Sequence, residues 1–214
     1  MILFIKQTKA NFDMEWEISG ATSSRTAIAK APFTRGKFEA EIMYDNLKKQ
    51  TLYFNPQDTT WGKTLKDRLS FKVFVEQNKV GSIVGGETKR VSGFLQSYNY
   101  YKFVLENETY YGYEVGFGKK GLYLCIYKGE ELIAIVQKNL KVVNFKDNYV
   151  AYLEDEKYIS VVVPFSIYYD ITAYGDVMEW STLSIKEKRI NTISKELCSK
   201  YDANFIKRVI DKEL

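Results

Sequence analysis

From Ile2 to about Tyr53 apolar and polar residues alternate at period two in short runs, among them Phe12 to Ile18, Thr26 to Ala31 and Lys37 to Tyr44. A strand sends successive side chains to opposite faces, so this alternation predicts four or five half-buried antiparallel strands. Gly20, Gly36 and Asn46 punctuate them as the turns of a meander. The pattern breaks between Asn55 and Leu69, where Asn55-Pro56 opens a polar surface loop with a short helical turn at Thr64 to Arg68. It resumes at Phe71 to Glu76 and Gly81 to Val84, with Gln77-Asn78 as the hairpin turn. After a second loop come Tyr98 to Val104, Thr109 to Phe117, Gly121 to Tyr127 and Glu131 to Gln137, with turns at Asn107 and Lys128-Gly129.

The stretch from Tyr158 to Tyr169 is almost continuously apolar, has no polar face and contains Pro164. Strand and helix readings compete for it. Its β-branched valines favour a strand, but Pro164 would remove a ladder hydrogen bond and twelve residues is long for one. A helix apolar on every side must be buried all round, where a kink at proline is tolerable, and the helix is the reading carried forward. From Thr182 the period turns helical, with Leu183, Ile190, Ile193 and Leu197 on one stripe. Asp202 then caps a second helix carrying Phe205, Ile206, Val209 and Ile210. These helices are expected to pack on the barrel, with docking of a protein partner as their alternative use.

Composition narrows the chemistry. The 214 residues suit one domain, and 45% apolar with 27% charged residues is a globular balance. The 17 Tyr and 13 Phe favour sheet surfaces. A net charge of +4 spread along the chain lacks the concentrated basic face of a nucleic-acid binder, so no nucleic-acid partner is expected. Cys125 and Cys198 have no metal-ligand spacing and read as reduced thiols. With no signal-like start and no apolar run long enough to span a bilayer, a cytoplasmic location is expected. The chain contains no histidine. That removes Ser-His-Asp and Cys-His nucleophile systems, histidine bases and histidine metal sites, so neither catalysis nor a cofactor is expected.

Several strings invite a functional reading. Gly116-Phe117-Gly118-Lys119-Lys120-Gly121 spells GxGxxG, but a strand follows it where a dinucleotide fold needs a helix, and no kinase companion segments exist. It reads as a hairpin turn. Gly62-Lys63-Thr64 ends like a phosphate-binding loop, yet Gln57 stands where the first glycine belongs. Tyr98, Tyr100, Tyr101, Tyr110, Tyr111 and Tyr113, beside Lys102, would suit stacking but read as wall packing. Asp170, Asp176 and Glu179 match no acid/base signature and read as capping or turn residues. Lys89-Arg90 and Lys119-Lys120 are paired cations at expected loop tips, where phosphate groups would be attracted.

The order of elements, about twelve short strands and then an exceptionally apolar segment, resembles the Tubby C-terminal-like superfamily. The likeness is to its branch of LURP-one-related and phospholipid scramblase-like proteins. It is carried by Glu130 to Lys138, similar to an Ile/Val-Ala-x-Ile-x-Lys strand, by Asp147 to Leu153, similar to an Asp-x-Tyr strand, and by Tyr158 to Asp170, which resembles a central helix ending at an Asp. Pro164 and the extension after Thr182 depart from that pattern. The resemblance implies a closed antiparallel barrel of about twelve strands around a buried helix near 157–172, occupying 1–181, with 182–214 as a helical extension. It also implies a non-enzymatic binding module for an anionic membrane lipid headgroup, for which Lys89, Arg90, Lys119 and Lys120 are the candidate residues.

Overall fold

The computed structural model describes residues 1–10, 13–21, 25–32, 38–54, 70–90, 97–144, 146–174, 185–187 and 189–213, with backbone alone at 86–90, 97, 99, 174 and 185–187. The expected loop at 55–69, with its Gly62-Lys63-Thr64 string, lies outside the described residues, as do Asp176 and Glu179. The first half of the chain forms β1 (Ile2–Lys9), β2 (Asp13–Gly20), β3 (Arg25–Pro32), β4 (Phe38–Tyr44), β5 (Lys49–Phe54), β6 (Ser70–Val75) and β7 (Asn78–Arg90). There follow β8 (Ser97–Leu105), β9 (Glu108–Gly116), β10 (Leu122–Lys128), β11 (Glu131–Lys138), β12 (Lys141–Val143) and β13 (Asn148–Leu153). All but β12 join antiparallel into a closed twelve-stranded barrel in which β1 pairs with both β2 and β13.

The alternation does what it predicts. Leu3 and Ile5 of β1, Met14, Trp16 and Ile18 of β2, and Ala27, Ala29 and Ala31 of β3 turn inward and are buried. Their neighbours in sequence face out. Turn positions differ from expectation by one residue in two hairpins. The β6–β7 turn uses Glu76 and Gln77, and the β10–β11 turn uses Gly129 and Glu130. Glu106 and Asn107 take positive φ together, at 49° and 68°, as a two-residue type I′ turn requires.

Twelve strands about 4.8 Å apart and tilted by about 40° enclose a backbone cylinder roughly 24 Å across, which leaves room for one helix about 10 Å wide. That helix is α1 (Ile159–Tyr169). Every residue from Val161 to Tyr169 is buried. Its rings meet the wall at several strands: Tyr168 packs edge-on against Phe71 of β6, Phe165 against Phe103 of β8, and Tyr169 against Tyr149 of β13. A Cβ on Gly112 of β9 would stand 2.6 Å from the Phe165 ring, so the absence of a side chain there makes the space. Pro164 has no N–H to give the carbonyl of Ser160 one turn earlier. Gln50 of β5 supplies the missing donor, its Nε2 lying 3.2 Å from that oxygen while its Oε1 accepts from the Tyr44 hydroxyl at 2.8 Å. The proline is therefore accommodated by a side chain from the wall.

After the barrel the two expected C-terminal helices are present, but the first starts later than the pattern from Thr182 predicts. Residues 185–187 form β14 (Ile185–Glu187), antiparallel to β12, and Asn191 bridges to Phe117. Among the described residues after 185, helix begins at α2 (Lys195–Cys198), where the Ser194 hydroxyl accepts the Leu197 N–H, and continues in α3 (Ala203–Glu213). Ile193, placed on the helical stripe by the sequence, is 82% exposed. Ile190, Thr192 and Ile193 are β-branched and weak helix formers, and the Thr192 hydroxyl is engaged by a barrel amide, so pairing with the wall outweighs the periodicity. Leu183 lies outside the described residues.

A candidate cationic groove at one end of the barrel

The barrel's two ends differ in kind. Tight turns at 45–48, 76–77, 106–107 and 129–130, together with the start of α1, lie at one end. At the other lie the last residues of β5 and β7, the connections after β9 and β11, and the C-terminus of α1. Both cation pairs singled out in the sequence belong to this second end. Lys119 and Lys120 sit in the 3-10 turn Gly118–Lys120 between β9 and β10, exposed as expected of a hairpin tip. Lys89 and Arg90 are not at a loop tip. β7 continues through Gly85 and Gly86, where its register on β8 shifts, so that Lys89 and Arg90 end a strand opposite Tyr98 and Ser97. Their side chains lie outside the description. At about 4.8 Å per strand, β7 stands roughly 10 Å around the wall from β9.

A groove of about 540 Å³ opens beside the Lys119-Lys120 turn. Its floor is the outer face of the β1–β13–β11 seam, represented by Phe4, Gln137, Asn148 and Val150, and its rim carries Lys6, Lys119, Lys120 and Lys141. All four lysines are exposed, and none has a carboxylate partner among the described residues. Lys6 occupies an outward position on β1, and Lys141 opens β12. Neither was singled out in the sequence, because their approach to Lys119 and Lys120 depends on the seam between the first and last barrel strands. The volume lies in the range of small-ligand sites.

A second hollow of about 420 Å³ at the opposite end provides a contrast. There Arg25 pairs with Asp45 at 3.3 Å, and Lys157 with Asp155 at 3.3 Å, so cations and carboxylates offset one another. The Lys157 backbone N–H donates to Asp155 and holds its carboxyl below the usual carboxylate range. Of these two hollows, the one at the seam gathers cations with no paired carboxylate among the described residues.

Behind the groove wall, Lys138 and Asp147 form an ion pair whose side chains are 0% and 3% exposed. Asp147 also donates its backbone N–H to the Gln7 side chain at 2.8 Å, and the Lys138 ammonium lies 4.9 Å from the centre of the Tyr149 ring. The Tyr149 hydroxyl donates to Asp170, which also accepts the Trp16 indole N–H at 2.8 Å. Asp170 thus ties the end of α1 to β2 and β13 through its side chain, a tertiary role that the capping or turn reading did not include. The tyrosine-rich stretch divides between two packed layers. Tyr101 and Tyr110 turn into the barrel, Tyr101 against α1. Tyr98, Tyr111 and Tyr113 turn outward into a second cluster with Tyr123, Cys125 and Tyr127. Phe205 and Val209 of α3 and Leu197 of α2 complete that cluster, so the apolar side of α3 is covered by the barrel wall.

Burial pushes the Cys125 thiol well above its ordinary value, and the same cause raises Tyr44, Tyr101, Tyr168 and Tyr201 and takes Tyr127 up to about 12. A tyrosine raised in the folded state contributes stability that is complete below the unfolded value near 10 and is lost as pH climbs through the folded value. Stability is therefore expected to fall steeply above about pH 10, read as urea midpoints at about pH 8, 10 and 11. A midpoint unchanged at the highest of these would contradict the burial of the tyrosine hydroxyls.

The fold and site together define a closed barrel filled by an apolar helix, with a cationic groove along its seam. No family model, curated protein or solved structure matches the chain.

Proposed function

We propose that the protein is a non-enzymatic binding module that recognises a phosphorylated, anionic membrane lipid headgroup in the seam groove. One observation carries the reading: Lys6, Lys119, Lys120 and Lys141, from three separate parts of the chain, converge on one concave site, and none is paired with a carboxylate among the described residues. Ammonium groups gathered in this way attract phosphate oxygens and gain little from any neutral ligand. The resemblance to Tubby-type domains supports the same ligand, and a barrel wrapped around a helix that ends at Asp170 is consistent with that resemblance. A cytoplasmic place of action is part of the proposal. Two unbridged cysteines support it, and among the described residues no helix is long and apolar enough to cross a membrane.

Co-sedimentation with phosphatidylcholine vesicles, with and without a phosphoinositide, tests the proposal. Binding should require the phosphoinositide and weaken with added salt. Replacing Lys6, Lys119 and Lys120 together with glutamine should lower it roughly a hundredfold, at about 1 kcal/mol per lysine. A soluble inositol phosphate used as competitor separates headgroup recognition from general attraction to a charged surface. Lys89→Gln with Arg90→Gln, measured alongside, shows whether β7 contributes. Binding that ignores anionic lipid, or that survives the triple replacement, would sink the proposal.

A further inference from the structure

The segment from Ile185 onward touches the groove rim at two places, the Lys119-Lys120 turn and β12. Along the Lys119-Lys120 turn, the Gly118 N–H donates to the Ile190 carbonyl at 2.8 Å and the Thr192 N–H donates to the Gly116 carbonyl at 2.8 Å. In return the Gly116 N–H donates to the Thr192 hydroxyl at 2.9 Å. The approach is close enough that a Cβ on Gly116 would lie 2.2 Å from the Ile190 carbonyl oxygen. On the other side of the rim, β14 pairs with β12, setting Glu187 opposite Lys141 in register. β12 is outside the barrel sheet, and β14 is its ladder partner.

The same segment is anchored along the wall and at the far end. Tyr127 donates its hydroxyl to the Lys200 carbonyl at 2.9 Å, and Tyr98 donates to Glu196 at 2.9 Å. Phe205 and Val209 are buried in the outer cluster, where α3 lies against β13 and β1 and α2 against β9. At the tight-turn end, Lys212 pairs with Glu154 and Glu213 lies 3.2 Å from the Met1 amino group.

We infer that this C-terminal segment is a strap that sets the geometry of the groove, with Gly116, Ile190 and Thr192 as positioning residues that hold the Lys119-Lys120 turn in place. The inference rests on the reading of the groove as an anion site. Along the turn the strap's contacts run through the backbone of Gly116, Gly118, Ile190 and Thr192 and through the Thr192 hydroxyl. Lifting it therefore changes where Lys119 and Lys120 stand. Two amides, Gly116 and Gly118, lose their acceptors when it lifts, and the turn gains freedom that a bound anion must then remove.

Thr192→Val removes the hydroxyl acceptor and keeps the side-chain shape, Thr192→Ser restores the acceptor, and Gly116→Ala wedges against the Ile190 carbonyl. Two readings are taken on the full chain: binding to phosphatidylcholine vesicles carrying a phosphoinositide, and hydrogen exchange at 118–121 and 141–143. Thr192→Val and Gly116→Ala should each speed exchange at the turn and weaken binding roughly tenfold, with Thr192→Ser near the parent protein. If a variant unfolds the barrel, exchange rises throughout and the Thr192→Val and Thr192→Ser pair decides. Faster exchange at the turn with undiminished binding overturns the strap's control of the site. Unchanged exchange in both destabilising variants overturns the strap itself. If the parent protein binds no anionic vesicle, the anion-site reading fails, and the exchange measurements alone judge the mechanical coupling.

Discussion

Lys138→Ala is expected to lower folding stability by about 3–5 kcal/mol, because it strands the Asp147 carboxylate in a dry interior. The pair lies behind the groove wall, with both side chains almost wholly out of contact with solvent. Two costs follow from deleting the ammonium: the carboxylate loses its charge partner, and Tyr149 loses the cation beside its ring. Removing both charges behaves differently. Lys138→Met combined with Asp147→Leu should recover most of the loss, since apolar groups of similar volume carry no desolvation penalty. Urea unfolding of the two single variants and the double variant measures this. A double variant as unstable as the sum of the singles would show that the two charges do not compensate one another.

Phe165→Ala should cost a similar amount, about 3–5 kcal/mol, through the cavity left at the centre of the barrel. Phe165 is fully buried, with its ring 5.8 Å from that of Phe103 and 6.3 Å from that of Tyr101. The wall cannot collapse readily into the space, because each strand is held by neighbours on both sides. Gly112 offers an independent check. Gly112→Ala alone should destabilise by crowding the Phe165 ring, whereas in a Phe165→Leu background it should cost less than the sum of the two changes. Strict additivity would argue against direct contact between that position and the helix. The urea midpoint, read with an unchanged denaturant slope, reports each effect.

Much of the barrel was legible in residue pattern. β1 to β4 announce themselves by alternation because one face of each meets the core and the other meets water. β10 does not alternate in burial, since Leu122, Leu124 and Ile126 face α1's side of the wall while Tyr123, Cys125 and Tyr127 face α2 and α3. Its sequence carries only the message that it is apolar on both faces. The helix at 159–169 was read from an unbroken apolar run, and its proline was the obstacle. That obstacle is removed by Gln50, more than a hundred residues earlier, and no local rule reports such a partner. β14 was misread for the opposite reason: a helical period was present at 190–197, and tertiary pairing with β12 and Gly116 outweighed it.

The candidate site was legible only in part. Lys119 and Lys120 were found because paired cations at a glycine-rich turn are a local signal. Lys6 and Lys141 look like any outward lysine until β1 meets β13, and that meeting joins positions about as far apart as the barrel allows.

That seam has a consequence for the order in which the molecule assembles. Every other neighbouring pair in the ring joins strands that are adjacent in sequence or nearly so, whereas Ile2 pairs with Tyr152. Bringing two such distant points together costs about 4 kcal/mol of chain entropy, against much less for any hairpin. The helix follows immediately after β13, so the wall must still be open when it enters. Hairpin formation can therefore run along the chain early, while zipping the seam and enclosing the helix become one late cooperative event. The groove, laid across that seam, does not exist until this event is complete.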